Sequence, residues 1–381
     1  MGPLSGVRVV EIAGIGPGPF CAMLLADLGA DVIRVDRRPD APPEGAGEGE
    51  RYNVLNRGRR SVGVDLKGER GAEVVLRLVH EADALIEGFR PGVAERLGIG
   101  PAPCLARNRR LVYGRMTGWG QEGPLASAAG HDITYAATAG ALAHIGRVGQ
   151  LPTPPLNLVA DFGGGGMLLA LGLVAALHHA QRTGEGQVVD AAMVDGTALL
   201  MAPFFGASAI GFWSDERGTN LLDSGAPFYD VYRCGDGAEI AVGAIEPQFF
   251  AALLDVLGIP ASSLPDQNDQ GRWPELRAAL TWAFAGRPRS EWLARAEGRD
   301  ACLAPVLTMA EAAVHPHLQA RATIVERDGV PQPAPAPRFS ATPATLDRPP
   351  AAPGQHTDEA LVDWGFSPPE VAELRASGAI G

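Results

Sequence analysis

The first 36 residues commit this chain to a parallel sheet. Val7-Arg8-Val9-Val10-Glu11-Ile12 reads as a strand, a Gly/Pro turn follows, a helical stretch runs from about Phe20 to Leu28, and Ala30-Asp31-Val32-Ile33-Arg34-Val35-Asp36 is a second strand. Two β-branched runs joined through a helix form a β-α-β unit, because parallel pairing needs a crossover and the helix supplies it. The alternation resumes after residues 38–52, a Pro-, Gly- and Glu-rich stretch read as a surface loop. Ser61–Leu66 is strand-like, Glu69–His80 helical, Ala84–Glu87 strand-like and Arg110–Met116 strand-like. Met167–Gln181 is a helix, and Gln187–Asp190 leads into another near Ala191–Leu200. This is the pattern of a doubly wound, Rossmann-like α/β domain.

The texture changes near residue 225. Tyr229–Arg233 and Ala238–Val242 flank Cys234-Gly235-Asp236-Gly237, a hairpin signature, and short helices are predicted at about Pro247–Leu257, Pro274–Ala285 and Arg289–Ala296. The expected organisation is a large α/β domain over 1–200, completed by a C-terminal segment 330–381 with a last helix near Pro369–Ala376. A linker covers 201–224, a smaller α+β domain 225–320, and a return linker 321–329.

Bulk properties narrow the function classes. A net charge of −12 over 381 residues disfavours nonspecific binding to nucleic acid or to an anionic membrane surface. Cys21, Cys104, Cys234 and Cys302 are scattered with no pair at metal-ligand spacing, which fits buried thiols in a reducing compartment. The opening Met1–Gly6 lacks a signal-peptide layout, and the uncharged apolar run Met167–Leu177 is short for a bilayer. A cytoplasmic protein without metal or membrane is expected.

Gly14-Ile15-Gly16-Pro17-Gly18 after the first strand invites a dinucleotide reading, with Asp36 as the ribose-binding acid. The spacing is G-x-G-x-G, and Pro17 removes an N–H that would face phosphate, so a plain strand-to-helix turn explains it better. Basic residues recur at strand ends and loops: Arg37, Arg38, Arg57, Arg59, Arg60, Lys67, Arg90 and Arg96. Strand carboxyl ends are where open α/β sheets bind ligands, so this set fits either a phosphorylated ligand or a solvated basic face. The residues alone leave both readings open.

The sharpest chemistry lies in Gly130-His131-Asp132-Ile133-Thr134-Tyr135 and in Asp161-Phe162-Gly163-Gly164-Gly165-Gly166. An imidazole and a carboxylate each sit where a helix is expected to begin. Two groups of unlike chemistry hold different protonation states at one pH, so one can accept a proton while the other donates. A helix N-terminus disfavours imidazolium, which suits His131 as a base, while the bland reading is a cap. The four glycines permit close approach of a ligand, and their backbone offers donors for an enolate oxygen. Glu246, between Ile245 and Pro247, is either an N-cap or a partner that orients a neighbouring group.

Several motifs along the chain carry a family resemblance: Gly14-Ile15-Gly16-Pro17-Gly18-Pro19-Phe20, Leu25-Ala26-Asp27-Leu28-Gly29-Ala30-Asp31-Val32, Asn56-Arg57-Gly58-Arg59-Arg60-Ser61, Gly118-Trp119-Gly120-Gln121, Gly130-His131-Asp132-Ile133 and Pro155-Leu156-Asn157-Leu158-Val159-Ala160-Asp161. Through these the chain resembles the α-methylacyl-CoA racemases of the family III CoA-transferase superfamily over nearly all its length. The resemblance implies the family III fold, an interlocked homodimer, and no cofactor beyond the CoA of the substrate itself. It implies an isomerase acting on acyl-CoA thioesters in lipid metabolism. In that reaction His131 and Asp161 flank the α-carbon, one removing the proton to leave an enolate and the other reprotonating the opposite face. Glu246 matches a position that hydrogen-bonds the histidine, in its own or the partner subunit's site. Arg37, Val64, Asp65, Leu66, Lys67, Gly88, Phe89, Arg90, Arg96, Gly130, Asp132, Ile133, Thr134 and Tyr135 match positions that hold the CoA moiety. Met116, Met167, Met193 and Met201 are candidates for an apolar acyl surface, with core packing an equal alternative for each.

The main rival is transfer of CoA between carboxylic acids, with Asp161 as a nucleophile forming a mixed anhydride. Transfer needs no carbon base, and the transferase relatives generally lack a basic residue at the His131 position, so His131 favours racemisation. A non-catalytic acyl-CoA binder fits less well with His131, Asp161 and Glu246 all present.

Overall fold

The computed structural model describes residues 2–39 and 49–381, so Asp40–Glu48 of the expected surface loop lies outside the described residues. The chain divides into two compact units. The first comprises residues 2–139, 156–200 and 316–381, and the second comprises 140–155 and 201–315.

The first unit is built on six parallel strands: β1 (Arg8–Ile12), β2 (Asp31–Arg37), β3 (Arg59–Val64), β4 (Ala84–Glu87), β5 (Val112–Thr117) and β6 (Gln187–Ala192). Their order is β3-β2-β1-β4-β5-β6, every neighbouring pair parallel. Strands covered on both faces lose the in-out alternation of polarity, which is why β1, β2, β4 and β5 read as near-continuous apolar runs. On one face Val10, Ile12, Ile33, Val35 and Val62 pack with Val74, Val75, Leu78 and Val79 of the helix Gly71–Glu81.

The returning C-terminus seals the same core with Leu361, Trp364, Phe366 and Leu374. It also ties itself to the sheet edge: Trp364 Nε1 donates to Asp31 at 2.8 Å, and Ile380 bridges Val64 in antiparallel fashion. The helix Thr357–Asp363 that carries this contact was not anticipated, because His356-Thr357-Asp358 has the polarity of a loop.

The second unit holds a three-stranded antiparallel sheet, β7 (Tyr229–Arg233), β8 (Glu239–Gly243) and β9 (Leu303–Pro305). The helices Pro247–Leu257, Trp273–Ala285 and Arg289–Ala296 pack on it around Ile240, Leu253, Leu280, Phe284 and Trp292.

The units do not follow the expected linear boundaries. Residues 140–155 and 201–224 belong with the second unit, and 316–329 with the first, where Ile324–Arg327 pairs with Val330–Pro333. Polar bonds, both long-range and local, hold the second unit together. Arg147 forks onto the buried Asp230, which also takes Arg277. Asp223 ties the 218–225 turn by accepting from the N–H groups of Gly218, Asn220 and Gly225. Local composition carries no trace of the Arg147 and Arg277 partners of Asp230.

Candidate active site

In a sheet of order 3-2-1-4-5-6 the direction of winding reverses between β1 and β4, and the strand carboxyl ends splay there into a crevice. A cavity of about 590 Å³ opens at this point, lined by the Gly14–Gly18 turn, Gly88–Arg90, Met116–Trp119, His131, Tyr135 and Asp161. The turn is shaped by Gly16, whose φ of +70° ends β1's run and starts the helix Pro17–Asp27 with Pro17 in its first turn. A side chain at Gly16 would be strained, and its Cβ would lie 3.4 Å from an oxygen of Asp161.

His131 is the N-cap of the helix Asp132–Thr138. Thr134 satisfies the cap, accepting from the His131 N–H at 3.0 Å and donating to its carbonyl at 2.7 Å. The imidazole itself is exposed and lines the cavity.

Asp161 lies in the first turn of a π-helix, Leu158–Met167, which runs on into the α-helix Leu168–Thr183. Burial raises its carboxyl above the usual aspartate range. The Asn157 amide, donating at 3.2 Å, opposes that rise, the Asp132 charge adds to it, and His131 pulls it down. Both candidate proton carriers line the same cavity.

Asp132 links them mechanically. Its buried Oδ2 accepts from the N–H of Ala160 at 2.7 Å and of Asp161 at 2.8 Å. Its side chain ties the helix behind His131 to the turn that carries Asp161. Oδ1 is buried with no partner among the described residues.

The glycine run also serves packing. A Cβ on Gly164 would come within 2.7 Å of the Thr197 nitrogen, one on Gly166 within 2.8 Å of the Pro17 carbonyl, and one on Gly196 still closer to Gly164. Gly164, Gly165 and Gly166 are buried between two neighbouring segments, so their backbone is not offered to an enolate. Contrary to the estimate from the apolar run alone, the continuous helix Leu158–Thr183 has the length and hydropathy to cross a membrane. One face of it is buried through Leu169, Leu173 and Leu177, and Asp161 stands in its first turn.

The expected CoA contacts divide. Gly88, Phe89, Arg90, Gly130 and Tyr135 line the cavity. Tyr135 packs edge-on against Trp119 with centroids 4.8 Å apart and lies over Gly118, where any Cβ would collide with its ring. Arg37 at the end of β2, Lys67 after β3, and Arg90 and Arg96 after β4 are exposed and make no ion pair with the described residues. Val64 is buried, Asp65 and Leu66 are partly buried, and Asp65 donates its N–H to Ala379. Ile133 and Thr134 are exposed, the latter engaged in the cap.

Three other arginines of the basic set have no share in this. Arg57 pairs with Asp27, Arg59 with Glu11, and Arg60 with Asp31 and Asp363. Glu246 lies in the second unit at the N-cap of Pro247–Leu257; its carbonyl takes the Phe250 N–H, but its exposed side chain forms no cap bond. Met116 and Met193 line the cavity, Met167 is exposed, and Met201 belongs to the second unit. Asn157, a partner of Asp161 absent from the sequence reading, is the N-cap of the π-helix and stands outside it, where no helical spacing signals the contact.

Comparison with known proteins adds an independent line. The description "CoA-transferase family III" matches residues 4–357. An α-methylacyl-CoA racemase of Mus musculus is 47% identical over 98% of this chain and 96% of its own length, and its Homo sapiens counterpart is 46% identical over 99% and 97%. A succinyl-CoA–D-citramalate CoA-transferase of Chloroflexus aurantiacus is 31% identical over 99% of the chain and 98% of its own. Among solved structures, a CAIB/BAIF family protein from Brucella suis superposes with a TM-score of 0.82 at 28% identity, covering 95% of this chain and 99% of that one.

Proposed function

The chain belongs to CoA-transferase family III, and from that membership we propose that it is an isomerase that racemises α-methylacyl-CoA thioesters. The observation that carries the proposal is an exposed imidazole and a carboxyl raised above its usual range lining one cavity. In one direction His131 takes the α-proton, the electron pair moves onto the thioester oxygen as an enolate, and Asp161 delivers a proton to the opposite face. The reverse direction exchanges the roles. A carboxyl held above the usual aspartate range carries a proton closer to neutral pH, which suits it as the acid partner. Transfer chemistry would use Asp161 alone and leave the imidazole idle.

The exposed cations Arg37, Lys67, Arg90 and Arg96 at the strand carboxyl ends are the groups we assign to the phosphates of CoA, with Tyr135 and Phe89 beside the pantetheine arm. CoA enters as part of the substrate and no further cofactor is invoked. We place the enzyme in the cytoplasm as an interlocked homodimer, with Glu246 orienting an imidazole. Support for a second copy comes from the outward face of Leu168–Thr183, where Leu171 is 66% exposed. The test is incubation of one enantiomer of a 2-methylacyl-CoA in D2O. Deuterium uptake at the α-carbon with loss of optical purity is expected. CoA transfer to a free carboxylic acid without α-exchange would overturn the proposal in favour of a transferase.

A further inference from the structure

Beneath one rim of the cavity lies a charged trio that the reaction does not use. Glu87, the last residue of β4, is fully buried, and its Oε1 accepts from Arg115 Nε of β5 at 2.9 Å. Its Oε2 accepts from the N–H of Phe89 at 2.7 Å. The far end of the Arg115 guanidinium forks onto Glu95, Nη1 to Oε1 at 2.8 Å and Nη2 to Oε2 at 3.3 Å. One cation thus runs from β5 across β4 to the helix Val93–Arg96.

That helix is a single turn of four residues. One turn cannot hold itself in water, since nucleation costs more than its few hydrogen bonds return, so its place is set by what grips it. Gly92 enters it at φ +81°, and Arg96 Nη1 lies 3.2 Å from where a Gly92 Cβ would stand, folding the guanidinium back over the turn. Phe89 and Arg90 line the cavity immediately before it. The Glu95 side chain is 45% exposed, and an ion pair so wet contributes little to global stability. A bidentate fork at such a site fixes geometry more than it adds energy.

We infer that Arg115, braced by Glu87 and gripping Glu95, is a positioning residue that holds the 88–96 segment so that Arg90 and Arg96 meet the phosphates of CoA. The inference rests on the acyl-CoA reading above. Arg115→Met, Arg115→Lys and Glu95→Gln are compared with wild type on 2-methylacyl-CoA and on the matching 2-methylacyl-pantetheine thioester, which lacks the nucleotide.

Expected are a KM for the CoA thioester raised about tenfold with kcat within about threefold, and no rescue by lysine, which cannot reproduce the fork. The pantetheine thioester, which meets Phe89 alone of this segment, should lose less than about threefold in either parameter. Where Arg115→Met does not fold, Glu95→Gln, altered at the exposed end only, carries the test. An unchanged KM for the CoA thioester in Glu95→Gln, or an equal loss on both thioesters, overturns the inference while wild-type activity stands. A wild-type protein that neither racemises nor binds CoA overturns the acyl-CoA reading, and this inference with it.

Discussion

Two sets of basic residues share the large unit and do opposite things. At the root of β3, Arg57 and Arg59 are buried against Asp27 and Glu11, each side chain no more than 3% exposed. At the carboxyl rim of the same sheet, Arg37, Lys67, Arg90 and Arg96 stand exposed without an ion pair among the described residues. A buried guanidinium needs its carboxylate, because the desolvation cost is recovered only with every donor satisfied. A rim cation stays hydrated and keeps its charge available to an anion that arrives later. The lesson is that basic composition says nothing of function until partners are known.

The contrast can be broken in several ways. The largest effect is expected at the rim itself: His131→Ala should lower kcat for racemisation by about 10²–10⁴-fold with CoA affinity nearly intact. Retention of full turnover, followed by chiral analysis of product, would remove His131 from the mechanism. At the root, Arg59→Ala leaves Glu11 buried and unpaired and should cost about 3–5 kcal/mol in denaturant unfolding. Adding Glu11→Leu should recover most of that loss, and a double variant no more stable than the single one would show that the pair is not acting as a unit.

A smaller change is expected from Arg96→Ala, which should weaken CoA binding about tenfold, less so at high salt, with no shift in melting temperature. Calorimetric titration decides it, since an unchanged Kd would return Arg96 to the solvated surface. The smallest effect concerns pH. Burial and the Asp132 charge both raise the Asp161 carboxyl, so Asp132→Asn removes one raising cause and Asp161 ionises at lower pH. The acid limb of kcat/KM should move down the pH scale accordingly; an unmoved limb would show that Asp132 acts through geometry alone.

Much of this was legible in the residues. The strand sequence from Val7 to Met116 and the helices Pro247–Leu257 and Arg289–Ala296 lie where periodicity and turn chemistry place them. So does Gly14–Gly18 as a strand-to-helix turn, and His131 and Asp161 both line the cavity at the switch point of the sheet. The glycine run was legible as unusual, but its purpose was not: poor helix propensity concealed a π-helix whose glycines let two backbones touch.

What the sequence determined by itself are the properties that depend on neighbours a few residues apart: period, caps, turns and the apolar stripes that demand a parallel sheet. Tertiary structure alone decided which arginines are spent and which are free, that Asp132 grips residues 160 and 161, and that 140–155 folds with 201–315. Each of these turns on a partner tens to hundreds of residues away. The free energy of a buried charge is set by that partner, and no local pattern records it.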